Sequence, residues 1–264
     1  MKRGALIFVL LFMTSNFCLL SAQENSPEDL DAILNKCAVY CEKLKRSALD
    51  LVCKEKVTQV IYYKSIRRKS RNKDEVVEKD WVYDYQLIRK NQKIKEQRIL
   101  LQEDGNKWNL GKAKLDTRYF RHEFMILGPL SLIGEDKQSN HDYNIIGEEE
   151  LWGNEVIIIE AVPKVEFTLD HLWGQIWLDK NDFSILKIKW NQESIEGQES
   201  LGQDVKIDVT TEYRFDKNGI RFPSLYTLEA SFMAMKWRKF VRTKIMVVYE
   251  DYKFFTVETE VRLK

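Results

Sequence analysis

The chain has 264 residues, 44% apolar, 12% aromatic and 31% charged, with only 11 Gly and 4 Pro, which excludes the collagen-like, low-complexity and disordered classes. Its 42 basic residues nearly cancel its 41 acidic ones, so no global field favours nucleic acid or an acidic partner. The length, with no Gly/Ser/Pro-rich linker and no repeat of fixed period, favours one large domain.

At the N-terminus Lys2 and Arg3 precede the unbroken apolar run Ala5–Met13 and a softer stretch ending in Leu20-Ser21-Ala22, the order of a secretory signal. The run is too short to span a bilayer, which takes about 20 apolar residues. Residues 1–22 are therefore read as a signal peptide and 23–264 as a single exported domain. Cys18 does not make a lipobox, because Asn16-Phe17 stand where small residues are required. Loss of two bases and no acid leaves the mature charge at −1.

Ser26-Pro27-Glu28-Asp29 opens a helix predicted over residues 26–50: a hydroxyl cap, a Pro whose missing N–H costs nothing there, and acids at the positive dipole end. Leu30, Ile33, Leu34, Cys37, Cys41, Leu44, Ala48 and Leu51 recur at three- and four-residue spacing and form its buried stripe. Removal of Cys18 leaves Cys37, Cys41 and Cys53, an odd number in an oxidising compartment. If the following strand folds back along the helix, Cys41 stands ~13 Å up the helix and Cys53 ~10 Å along the strand, whereas Cys37 is a turn too far. The expected disulfide is Cys41–Cys53; the alternative is three reduced cysteines packed as small apolar groups. No His stands at ligand spacing from them, so no metal site is expected.

From Val52 the period changes from 3.6 to 2. Trp81, Tyr83, Tyr85 and Leu87 face one way and Val82, Asp84, Gln86 and Ile88 the other, and residues 204–215 alternate in the same manner. Turn signals at Asn91-Gln92, Glu103–Asn106, Asp179–Asp182 and Asp216–Gly219 separate the runs. Strands are predicted near 52–65, 80–90, 93–103, 141–149, 155–163, 173–180, 183–193, 203–216, 219–231, 238–251 and 253–263, joined as an antiparallel meander. Between the third and fourth, the apolar stretch near 117–134 is read as two short helical segments broken at Gly128-Pro129, acting as a plug on the sheet or a lid over an apolar space.

Catalytic signatures are missing. His122, His141 and His171 lie far apart, Ile126 occupies the position where a zinc helix starting at His122 needs its second His, and no nucleophile-elbow, phosphate-loop or dinucleotide glycine pattern occurs. The chain is not read as an enzyme and no cofactor is expected. The run Lys64, Arg67, Arg68, Lys69, Arg71, Lys73 is a solvated hairpin loop or, more specifically, a contact for anionic head groups. Nucleic acid is not expected of an exported protein. The supply of 7 Trp, 11 Tyr and 13 Phe suits a sheet that curls around an apolar space, which these rings either line or fill.

The segment Trp173-Gly174-Gln175-Ile176-Trp177-Leu178-Asp179-Lys180-Asn181-Asp182-Phe183-Ser184-Ile185-Leu186-Lys187-Ile188 resembles the Gly-x-x-Trp-x-Asp, hairpin, Ile-x-Lys/Arg-Ile signature of the bacterial LolA/LolB-like superfamily of periplasmic lipoprotein carriers and receptors. Lys217–Ser224 resembles the basic-x-Gly-x-x-x-Pro strand of its outer-membrane lipoprotein-sorting branch. The resemblance implies an α+β fold, mainly antiparallel β: a curved half-barrel, or open β-barrel, with a long N-terminal helix and a short helical insertion as plug or lid, whose concave face holds acyl chains. No catalytic residue is implied. The expected function is an exported cell-envelope protein that binds a hydrophobic ligand, a lipid or a lipoprotein acyl chain, as carrier or receptor, with Trp81, Tyr83, Tyr85, Trp173 and Trp177 lining the cup. The alternative is a structural or interaction module with a filled core.

Overall fold

The computed structural model describes residues 27–47, 51–65, 74–90, 93–111, 126, 128–164, 173–191, 205–234 and 239–255. The predicted signal peptide, residues 117–125 of the insertion, and Arg67, Arg68, Lys69, Arg71 and Lys73 lie outside them. The strands are β1 (Leu51–Ser65), β2 (Glu75–Lys90), β3 (Lys93–Glu103), β4 (Asn106–Gly111), β5 (His141–Leu151), β6 (Asn154–Pro163), β7 (Gly174–Asp179), β8 (Ile185–Trp190), β9 (Lys206–Glu212), β10 (Phe215–Lys217), β11 (Ile220–Phe222), β12 (Leu225–Ala234) and β13 (Lys239–Phe254). Three helices, α1 (Pro27–Ser47), α2 (Gly128–Ile133) and α3 (Glu135–Gln138), complete the described elements.

Eleven strands form one antiparallel sheet in the order β4-β3-β2-β1-β13-β12-β9-β8-β7-β6-β5, and β10 and β11 form a separate hairpin. β4 and β5 are the two edges and do not pair with each other, so the sheet is an open half-barrel, not a closed one. Turn chemistry sets the register: Asp104-Gly105, Trp152-Gly153 and Asn218-Gly219 each place two successive residues at positive φ (46 and 80°, 54 and 82°, 57 and 74°). That is the two-residue turn whose twist matches the strands it joins.

Period-2 alternation puts Leu51, Cys53, Glu55, Val57 and Gln59 of β1 on the inner face, opposite Leu87, Tyr85, Tyr83, Trp81 and Lys79 of β2. A bulge near Asp251, itself at φ 57°, shifts the parity of β13, so that Tyr252 and Phe254 face the way that Tyr249 does. Tyr252 then stacks on Phe215 at 4.6 Å and packs against Phe222 at 5.7 Å, which ties the β10–β11 hairpin to the sheet.

Several boundaries differ from those expected. β13 is one strand, where strands at 238–251 and 253–263 were expected, because the bulge preserves pairing to Leu51 and Val52. The single run 219–231 is split into β11 and β12 at Pro223-Ser224, where Pro has no N–H to donate to a ladder. β4 had not been predicted. Gly128-Pro129 opens α2, where Pro fits the first helical turn, and the helical segment expected before that pair lies outside the described residues.

The helix α1 approaches α2, α3, β5 and β11, and not the length of β1 that a fold-back requires. Tyr40 Oη accepts from the backbone N–H of Arg221 at 3.0 Å, and Gln138 Nε2 donates to Leu34 O at 2.8 Å. This placement overturns the expected Cys41–Cys53 bridge: Cys37, Cys41 and Cys53 are all free and buried. Cys41 Sγ instead points to Pro129 O at 3.9 Å.

Candidate functional site: the inner face of the sheet

Antiparallel register aligns one row of inward side chains across eight strands: Trp81, Val57, Val247, Tyr226, Thr211, Ile188, Ile176 and Ile159. The row beside it runs Gln59, Ile245, Leu228, Val209, Trp190, Gly174, Ala161. Their polar atoms are few, and one pair satisfies itself, Trp190 Nε1 donating to Thr211 Oγ1 at 3.0 Å. Helix packs on this face: a Cβ at Gly128 of α2 would lie 3.2 Å from the Trp190 ring, and Cys37, Cys41, Leu44, Leu132 and Ile133 of α1 and α2 share one buried cluster with these rows.

At the β3 side the face becomes polar. Glu55, fully buried, accepts from Arg98 Nε at 2.7 Å and Nη2 at 3.1 Å, and from Tyr249 Oη at 3.0 Å. Glu96 accepts from Tyr85 Oη at 2.5 Å and Arg98 Nη1 at 3.4 Å, and the guanidinium lies 4.7 Å over the Tyr85 ring. The buried Tyr83 hydroxyl stands next to this network and has no hydrogen-bond partner among the described residues. Burial first, and then Glu55, pushes the Tyr83 phenol up; burial and then Glu96 do the same for Tyr85, so both are neutral donors at any physiological pH.

Four of the five predicted lining residues, Trp81, Tyr83, Tyr85 and Trp173, belong to the inner core, and all five are buried against protein. Trp177 is the exception in placement. It packs with Val156 and Leu186 on the outer face, donates Nε1 to Glu149 Oε1 at 2.6 Å and carries Lys187 4.5 Å from its ring centre. Counting by twos through Gln175 put both tryptophans on one face, but Trp173 lies just before β7 and outside its alternation. Of the basic run, Lys64 is exposed at the end of β1.

The network of Glu55, Glu96, Arg98 and Tyr249 was missed. Its signal was an acid, Glu55, at an inward position of an alternating strand between Cys53 and Val57. In this network both carboxylates are engaged by Arg98 and by phenols. Among the described residues no group of three or more His, Cys, Asp or Glu is placed to hold a metal ion.

The residues that carry the family resemblance are structural in this hairpin. Asp179 Oδ1 accepts from Asn181 N at 2.9 Å and Asp182 Oδ1 from Ser184 N at 2.8 Å, which holds Phe183 at φ 58° in the turn. Gly174 permits the close approach of β8, since a Cβ there would lie 2.1 Å from Lys189 O.

No protein-family model and no curated protein matches the chain. Among solved structures it is similar to a LolA superfamily protein from Nitrosomonas europaea (TM-score 0.34, 11% identity, 86% of this chain and 94% of that one). It is also similar to a DUF1329 family protein from Desulfovibrio piger (0.39, 13%, 87% and 94%). A third likeness is to a putative outer membrane lipoprotein-sorting protein domain from Vibrio parahaemolyticus (0.36, 9%, 86% and 95%).

Proposed function

We propose that the protein is an exported cell-envelope protein that holds a hydrophobic ligand, a lipid or a lipoprotein acyl chain, non-covalently on the inner face of its open sheet, as a carrier or receptor. The observation that supports this is the pair of apolar rows running from Trp81 to Ile159 and from Ile245 to Ala161, on a sheet whose edges do not close. An acyl chain gains about 0.8 kcal/mol per methylene that it buries on leaving water. Trp81, Tyr83, Tyr85 and Trp173 are the aromatic contacts in this reading, and Trp177 is not.

A second reading, a structural or interaction module with a filled core, is favoured by the burial of all five predicted lining residues against protein. Native mass spectrometry and solvent extraction of the protein purified from its own host separate the two. A co-purifying lipid in near-stoichiometric amount is the expected result. Ligand-free protein that also takes up no added acyl chain decides for the filled core.

A further inference from the structure

Tyr83 carries a buried polar group that the folded chain leaves unused. The residue is 2% exposed, and its hydroxyl has no hydrogen-bond partner among the described residues. The phenols beside it are engaged: Tyr85 Oη donates to Glu96 at 2.5 Å and Tyr249 Oη to Glu55 at 3.0 Å. Buried hydroxyls are nearly always bonded and an unmet one is costly to keep, so this one is open to a partner from outside the chain. Register sets it on a boundary. Leu100, Tyr83, Glu55 and Tyr249 form one inward row across β3, β2, β1 and β13, beside the row that begins Trp81, Val57, Val247. Two residues along a strand separate the rows, ~7 Å. On the far side of Tyr83, Tyr85 lies opposite Arg98. A chain laid along the Trp81 row therefore has its polar end at Tyr83.

The charges nearby select the chemistry of that end. Glu55 faces Tyr83 across β1 and β2, and Glu103 faces Trp81 across β2 and β3. Arg98 is already held by Glu55 through Nε and Nη2 and reaches Glu96 through Nη1. A carboxylate or phosphate at Tyr83 would thus face two acids beside a committed guanidinium, and Lys79 stands four residues away along β2, ~13 Å. An ammonium fares no better at Glu55, where Oε1 accepts from Arg98 Nη2 and Tyr249 Oη and Oε2 from Arg98 Nε, and a buried charge without a pairing partner is costly. A neutral carbonyl oxygen needs only one donor. The Tyr83 phenol, pushed up by burial and by Glu55, keeps its proton and supplies one.

We propose that Tyr83 binds the head of the ligand: its hydroxyl donates to the carbonyl oxygen of a neutral acyl ester or amide whose chain lies along the row beginning at Trp81. This rests on the inner face holding a hydrophobic ligand, as proposed above, and specifies the class, an acyl group still linked to its alcohol or amine and not a free fatty acid or a hydrocarbon. The hydroxyl is sealed from water, so a carbonyl that reaches it displaces side chains of the inner face and then meets no competition from solvent.

The test is displacement of a long-chain alkylpyrene, a hydrocarbon probe without a carbonyl, from delipidated protein. Monoolein, ester-linked as in a lipid, and an N-oleoyl dipeptide amide, amide-linked as in an acylated polypeptide, are expected to compete about tenfold more tightly than oleate, oleylamine or octadecene. Tyr83→Phe should cost the carbonyl ligands about tenfold and leave alkylpyrene binding within about twofold. The infrared band of an isotope-labelled monoolein carbonyl should move to lower frequency on binding to the wild-type protein and not on binding to Tyr83→Phe. A tenfold preference for either carbonyl ligand supports the assignment, the ester alone pointing to a glyceryl lipid and the amide alone to an acylated polypeptide. Alkylpyrene uptake with no preference among the competitors, or with no response to Tyr83→Phe, overturns the assignment while leaving the inner face as a ligand surface. Tightest binding of oleate overturns it in favour of a head at Lys79, and of oleylamine in favour of one at Glu103. Failure to take up any probe, alkylpyrene included, overturns the reading of the inner face itself.

Discussion

Glu55 on β1 and Arg98 on β3 meet in a two-point ion pair at 2.7 and 3.1 Å, reaching across the intervening strand β2, with Glu55 fully buried and only 14% of the Arg98 side chain exposed. Such a pair gains little net stability over apolar residues of similar size, yet breaking it strands a charge in the interior. Arg98→Met should therefore cost about 3–5 kcal/mol, while the double variant Glu55→Leu with Arg98→Met should recover most of that loss. Urea unfolding of the two single variants and the double variant gives the coupling directly. A double variant as unstable as the sum of the singles would show that the pair is not acting as a unit.

Tyr83 and Tyr85 are neighbours on the inner face of β2 with opposite hydrogen-bonding status. Tyr83→Phe removes a hydroxyl that has no partner among the described residues, so stability should hold or rise by up to about 1–2 kcal/mol. Tyr85→Phe removes the donor to buried Glu96 and should cost about 1.5–3 kcal/mol, as for hydrogen bonds to charged groups. Thermal midpoints of the two variants in delipidated protein are the measurement, and equal losses would mean that Tyr83 is bonded after all.

The sheet was legible where the period was clean. Trp81, Tyr83, Tyr85 and Leu87 do share the inner face, and the Asn218-Gly219 turn lies where that dipeptide put it. What could not be read depended on partners distant in sequence. Asp251 looked like a break because a bulge cannot be told from a turn until the facing strand is known. The Cys41–Cys53 pairing failed because reach along a helix and a strand says nothing about whether they lie side by side, and α1 lies against β5 and β11 instead. Glu55 was visible as an anomaly in its strand, but Arg98 is 43 residues away, so the composition of the network could not follow from either alone.

The three thiols should behave as buried, neutral groups. Burial pushes Cys37 up to about 12 and holds Cys41 and Cys53 higher still. Because the thiolate forms more readily in the unfolded chain, the stabilisation is complete below the unfolded pKa near 9 and is lost as pH rises toward the folded value. Each thiol should contribute a fall of about 1.4 kcal/mol per pH unit in that window. Cys37→Ala should flatten the decline of the urea midpoint above pH 9 by one such slope. Iodoacetamide mapping should leave all three unmodified in the native protein at pH 8 and alkylate all three after unfolding, whereas a Cys41–Cys53 bridge would leave only Cys37 reactive.

Gly174 and Gly147 make a matched pair for steric cost in one sheet. A Cβ at Gly174 would lie 2.1 Å from Lys189 O and 3.0 Å from Asn191 N, both backbone atoms, whereas one at Gly147 would meet nothing within 4 Å. Gly174→Ala must separate β7 from β8 and should lower stability by more than about 4 kcal/mol or prevent folding, while Gly147→Ala should stay within about 0.5 kcal/mol. Expression yield and denaturant midpoints of the two proteins decide it. Near-equal values would show that β8 is not held as closely to Gly174 as the Lys189 contact requires.

Trp81 and Trp177 separate ligand binding from stability. Both are buried, and truncation of either to Ala should cost about 3–5 kcal/mol through the cavity it leaves. Only Trp81 faces the inner rows; Trp177 is held on the outer face by Glu149 and Lys187. If acyl chains occupy the inner face, Trp81→Ala should weaken binding of a fluorescent fatty-acyl probe by about tenfold or more, as loss of a large aromatic contact does. Trp177→Ala should leave the affinity within about twofold, the range of a substitution that touches no ligand. Conservative Trp81→Phe and Trp177→Phe variants keep the comparison possible if truncation prevents folding. Loss of probe binding on change of Trp177, with Trp81 silent, would move the ligand to the outer face and remove the case for the cup.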